Sequence, residues 1–140
     1  MRSLGSGLAV MIALGATTPL FAQPSTGDIP WIRQALDGVE LALQYQSVSR
    51  TSFPQFGSLR DDGSQDFTVY MPQRGYIAVG CDEDCHGIMI GRLSGGVIQH
   101  REYGQRGAVI YASEEGSYQI RIQVTDCRTE YCYVSVVGAY

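Results

Sequence analysis

The chain has 140 residues, 10 basic and 14 acidic side chains, a formal net charge of −4 and 44% hydrophobic residues. That length suits one domain and leaves little for a second. The acidic balance excludes a nucleic-acid partner, which needs a basic stripe, and the apolar content with nine tyrosines excludes a disordered chain.

The first residues read MRSLGSGLAVMIALGATTPLFAQ. Arg2 supplies a positive start, Leu8 to Leu14 form a short apolar run, and small residues lead to Ala22. This is the pattern of a secretory signal peptide over residues 1–22, cleaved after Ala22. The run falls short of the roughly 20 apolar residues that a membrane span needs, and no cysteine follows it to carry a lipid. Cleavage leaves nine arginines facing 14 acids, a net charge of −5, and no lysine anywhere. The expected location is therefore the periplasm or the exterior, with no membrane span after cleavage.

Residues 23–65 read as a lead, a helix and a loop. Pro30 suits a first helical turn, and Ile32, Leu36, Val39 and Leu43 follow at spacings of four, three and four. That stripe predicts an amphipathic helix packed on its own domain, although Gly38 interrupts it. The stretch TSFPQFGSLRDDGSQ, residues 51–65, has the composition of a linker or long loop.

From residue 66 to 140 the texture is that of a sheet. Strands are expected over 66–71, 75–80, 87–93, 97–101, 108–112, 117–125 and 131–138. Between them lie the turns PQRG, SGG, YGQRG and EEGS. In SYQIRIQV, Tyr118, Ile120, Ile122 and Val124 alternate with Gln119, Arg121 and Gln123, so one face is buried and one is wet. About seven short strands at this spacing predict an antiparallel sandwich. An outer-membrane barrel needs at least eight strands of about ten residues.

Four cysteines, Cys81, Cys85, Cys127 and Cys132, stand in this chain. An even count in an oxidising compartment reads as two disulfides. Three pairings are open; the local one, 81 with 85 and 127 with 132, is favoured because each partner is then close by. Zinc ligation is loosely allowed by the spacing but disfavoured by export. Thioredoxin-like chemistry lacks its C-x-x-C motif and its βαβ setting.

Between the first two cysteines stand Asp82, Glu83 and Asp84. Asp82 and Asp84 are weak candidates for calcium, an ion that wants several oxygen ligands. Side chains alternate in extended chain, so all three acids cannot face one ion, and the EF-hand pattern is absent. A solvated acidic turn is the plainer expectation.

The segments GYIAVGCDEDC, IMIGRLSGGVIQHR and GSYQIRIQVTDCRTEYCYVSV resemble the layout of bacterial pre-peptidase C-terminal-like (PPC-like) domains. In that layout a strand enters an acidic loop, a strand–turn–strand follows, and a late Gly-x-Tyr strand closes the sheet. The resemblance spans roughly residues 67–137. It implies a jelly-roll-like β-sandwich, an accessory rather than catalytic role beside secreted enzymes, and calcium in some relatives. Here Met89 stands where an aspartate is usual, and the turn YGQRG lacks an expected acid.

No catalytic residues emerge. His86 and His100 are the only histidines, and neither Ser94 nor Ser113 sits in a G-x-S-x-G elbow. His86, beside Cys85 and the acids, is the better candidate of the two. Tyr131 and Tyr133 fall on one face of the last strand, where they could stack on sugars or grip a protein, or be buried as ordinary strand formers. The expected site is thus Asp82, Glu83, Asp84, His86, Tyr131 and Tyr133. The expected function is a non-enzymatic binding or accessory module, with no cofactor, recognising a protein or an envelope polymer. The alternatives are a small secreted hydrolase using cleft acids, or an inhibitor of a wall-degrading or proteolytic enzyme.

Overall fold

The protein is described from a computed structural model over residues 29–140. Residues 1–28, where a signal peptide and a lead are expected, lie outside the described residues.

One helix and eight strands make up the described chain: α1 (Ile29–Leu43), β1 (Gln55–Leu59), β2 (Ser64–Met71), β3 (Gly75–Cys81), β4 (Cys85–Ser94), β5 (Val97–Gly104), β6 (Gly107–Ala112), β7 (Gly116–Cys127) and β8 (Cys132–Ala139). They form two four-stranded sheets with the orders β1-β8-β3-β6 and β2-β7-β4-β5, and every pairing is antiparallel. This interleaving of chain order between two sheets is the double Greek key of a jelly roll. The sheets face each other across one core. Ile77, Val79, Ile110, Val134 and Val136 come from the first sheet, and Phe67, Val69, Ile88, Ile90, Ile120, Ile122 and Val124 from the second.

The expected sandwich is present, with eight strands rather than about seven. The additional strand, β1, lies inside the stretch expected to be a linker or loop. There Gln55 to Leu59 register against Val136 to Cys132. β2 likewise begins at Ser64, so the sandwich starts before residue 66. The turns fall where expected. The tightest, between β4 and β5, places Gly95 and Gly96 at φ of 59° and 81°, the left-handed region that a two-residue hairpin turn requires at both positions.

The outer face of the first sheet is covered by α1. Ala35, Val39 and Leu43 are buried, and Val39 and Leu43 share a second apolar cluster with Ala78, Val137 and Ala139. Of the expected stripe, Ile32 and Leu36 are only partly buried, and the helix is rotated so that Ala35 and Gly38 face the sheet. Close approach is the reason. A Cβ on Gly38 would lie 2.6 Å from the Arg106 carbonyl oxygen and 2.9 Å from the Cys81 nitrogen. A Cβ on Gly80 would strike the backbone of Ala35 and Val39. Because α1 covers this face, β8 is buried on both sides: Ser135 and Val137 lie under the helix while Val134 and Val136 face the core.

Candidate functional site

Both disulfides take the local pairing, Cys81–Cys85 and Cys127–Cys132, each with Cα atoms 5.9 Å apart. Short in sequence, each is a bridge between sheets. Cys81 ends β3 in the first sheet and Cys85 opens β4 in the second; Cys127 ends β7 in the second and Cys132 opens β8 in the first. Cys85 and Cys127 are register partners, so the two bridges stand side by side at one end of the sandwich. Bonded cysteines of this kind belong to oxidising compartments, and the protein is accordingly extracytoplasmic. No described helix is long and apolar enough to cross a membrane.

Asp82 ties the two stapled loops together. Its side chain is 1% exposed. Oδ2 accepts the Tyr133 N–H at 2.9 Å and Oδ1 the Asp84 N–H at 3.2 Å, while its own N–H donates to the Tyr133 carbonyl at 3.0 Å. Burial pushes this carboxyl above the ordinary aspartate value and the nearby Asp84 charge adds to that, while the Tyr133 N–H acts the other way. Further bonds brace the loops. The Arg128 N–H donates to the Asp84 carbonyl at 2.8 Å, the Cys127 N–H to Asp61 Oδ1 at 2.8 Å, and the Glu83 N–H to Gln34 Oε1 on α1 at 3.0 Å. Arg106 Nη2 donates to the Gln34 carbonyl at 2.8 Å, linking the β5–β6 turn to the helix.

This bracing leaves a cleft of about 280 Å³. Asp82, Asp84, Tyr131 and Tyr133 line it, so four of the six expected site residues converge although they come from two distant stretches. Trp31, Thr129 and Glu130 complete the wall. The other two expected residues stand apart. Glu83 is exposed at the loop tip with its N–H on the helix. His86 is exposed on β4 and does not line the cleft. There Arg128, first by a paired hydrogen bond, and then the His86 charge hold the Asp126 carboxyl below its usual value. Asp82, expected as a solvated binding or calcium-ligating acid, is instead a buried structural acceptor. Among the described residues no group of three or more His, Cys, Asp and Glu is placed to hold a metal ion.

Arg60 does not line the cleft but engages two residues that do, Tyr131 and Glu130. Its guanidinium carbon lies 5.0 Å from the centre of the Tyr131 ring. Nη2 donates to the Tyr131 hydroxyl at 3.0 Å and stands 3.7 Å from Glu130 Oε2. A cation is thus held by an aromatic face and a carboxylate together. Trp31 falls outside the expected stripe of Ile32, Leu36, Val39 and Leu43, but it stands four residues before Ala35, on the helix face that meets the sheet.

The two histidines do not meet. His100 is paired with Arg92 on β4, six residues from His86 and so about 20 Å along the strand, and its Nε2 contacts Glu102 at 2.8 Å.

No family model matches the chain, and no curated protein matches it in sequence. Among solved structures, one similar to it is PliG of Aeromonas hydrophila, a periplasmic inhibitor of g-type lysozyme, with 12% identity, 66% of this chain and 88% of that one covered, and a TM-score of 0.45. Another is the low-affinity xylan-binding module CBM86 from Roseburia intestinalis, with 14% identity, 67% and 87% covered, and a TM-score of 0.40. A third is a de novo designed double-stranded β-helix, with 9% identity, 64% and 100% covered, and a TM-score of 0.38. All three likenesses are weak.

Proposed function

We propose that the protein is a non-enzymatic binding module that grips a basic side chain of a partner protein in the disulfide-framed cleft. One observation carries this reading: Trp31 of α1 and Tyr133 of β8 converge with Asp84, Glu130 and Tyr131 of the two loops, which are fixed by two disulfides and a buried carboxylate. Aromatic faces and carboxylates together select a guanidinium or ammonium group, as Arg60 already does on one side of Tyr131. Loops held rigid before binding lose little entropy on binding, which favours a specific partner. The role agrees with the accessory character that the pre-peptidase resemblance implies. A stable one-to-one complex with a wall-degrading or proteolytic enzyme would be one form of it.

The hydrolase alternative is disfavoured because both Asp82 oxygens already accept backbone N–H groups. An envelope polymer is the second reading, supported by the three aromatic side chains, which suit sugar faces.

Trp31 is the only tryptophan in the chain, so occupation of the cleft is read directly by its fluorescence. Affinity capture from native envelope extract is run with the native protein and with the pair Asp84→Asn and Glu130→Gln. The expected result is one stoichiometric protein, retained with a change in Trp31 emission, released by salt and lost with the pair. Retention of a polysaccharide supports the second reading. Equal retention by both forms overturns the assignment of the cleft.

A further inference from the structure

At the other end of β3, six residues from Asp82 and so about 20 Å along the strand, a second cleft of about 290 Å³ opens. Its walls include Tyr76 on β3, Tyr111 on β6, Tyr140, Ser47, and Gln73 and Arg74 from the β2–β3 turn. Tyr76 and Tyr111 are cross-strand partners, with ring centres 5.4 Å apart and planes inclined at 58°. The Tyr140 backbone is fixed from both sides: its N–H donates to the Arg50 carbonyl at 2.9 Å, and its carbonyl accepts the Arg50 N–H at 2.8 Å and the Ser49 N–H at 3.1 Å.

Three features suit this cleft to a ligand, which would meet exposed side chains of Ser47, Gln73, Arg74 and Tyr111. Arg74 forms no ion pair or hydrogen bond with any described residue. Its side chain is the only charged one among those of the described lining residues, in a protein whose net charge is negative. The hydroxyls of Tyr76, Tyr111 and Tyr140 likewise hold no hydrogen bond to a described residue. The two inclined rings offer a corner of apolar surface rimmed by hydroxyls, rather than a flat slot for a planar aromatic ligand.

We propose that this cleft binds a sugar ring carrying a carboxylate. The planar Arg74 guanidinium matches one carboxylate in a two-bond fork. A lone arginine leaves a phosphate dianion half neutralised, which disfavours phosphate. Tyr76 and Tyr111 meet the C–H faces of the ring, and the phenol hydroxyls with Gln73 and Ser47 serve the sugar hydroxyls. The volume lies just under the range of drug-sized pockets, about 300–1,000 Å³, so the site takes one ring of a chain. This site stands independently of the acidic cleft.

Glucuronate is titrated into the ¹⁵N-labelled protein and followed by amide shifts, with glucose, acetate and inorganic phosphate as controls. The expected shifts fall on residues 73–76, 111 and 140, spare the loops 81–85 and 127–132, and leave Trp31 emission unchanged. Glucose lacks the charged group and acetate lacks the ring, so each binds at least about tenfold more weakly, and phosphate does no better. Arg74→Gln lowers affinity for glucuronate about tenfold or more, while Tyr111→Ala lowers affinity for glucuronate and glucose alike; melting curves confirm that both variants fold. Absence of shifts up to about 20 mM, equal binding of glucose, tighter binding of phosphate, or binding indifferent to Arg74→Gln overturns the proposal.

Discussion

Asp82 sits buried with backbone N–H groups, not a cation, on its two oxygens. Replacing it by alanine orphans the Tyr133 and Asp84 N–H groups between the stapled loops, a loss of about 2–4 kcal/mol, measured by urea unfolding at neutral pH. The pH dependence has a definite sign. Because the folded carboxyl titrates above its ordinary value of 3.8, the folded state binds the proton more tightly than the unfolded chain. Stability from this group is therefore full below the ordinary value and declines as pH rises through the raised folded value. The stability gap between the native protein and Asp82→Ala should narrow as pH rises across that window; a gap that widens contradicts the assignment. Asp66 behaves in the opposite sense. Arg121 bonds its carboxylate at 2.8 and 3.0 Å and holds it below the usual value, so its contribution is lost as pH falls. That pair is solvent-screened, so Arg121→Gln should leave the urea midpoint at neutral pH almost unchanged.

Helix α1 lies on the sheet only because glycines stand where its backbone meets that of β3 and the β5–β6 turn. In an exposed helix Gly→Ala gains about 1 kcal/mol. At Gly38 the added methyl meets backbone atoms of Arg106 and Cys81, and overpacking of this kind costs about 1–3 kcal/mol. Gly38→Ala should therefore lower the melting temperature, and Gly80→Ala, which gains nothing in helix propensity, should lower it further. A rise for Gly38→Ala would show that the helix does not rest there. The same contact explains what the sequence could and could not tell. Gly38 reads as a flaw in the helix and is its point of contact, because a missing side chain leaves no trace in a pattern of apolar positions. Strand alternation in β7 was plain because one face is core and the other water. β1 was not legible: Phe56 faces outward, and of its five residues only Leu59 is buried. At the site, Asp82, Asp84, Tyr131 and Tyr133 could be singled out by residue type. Their meeting with Trp31, Thr129 and Glu130 depends on which ends of the strands the fold brings together.

The two disulfides close small loops, so a chain-entropy estimate gives each only about 2 kcal/mol, yet each joins one sheet to the other. The paired change Cys127→Ser and Cys132→Ser should lower stability by about that amount in urea while leaving the Cys81–Cys85 bridge intact. Non-reducing tryptic mapping checks the pairing: cleavage after Arg74 and Arg92 should release one peptide holding both Cys81 and Cys85. A bridge from that peptide to the one carrying Cys127 would refute the pairing. The order β1-β8-β3-β6 has a consequence in time. β8 lies between β1 and β3 and is the only neighbour they share. As the chain emerges N-terminus first, β1 has no partner in its sheet until residues 132–139 arrive. Closure of the first sheet is thus deferred until β8 arrives, after every other strand of the sandwich. Fragments ending before Cys132 would unfold without a cooperative transition, whereas the full length would show one.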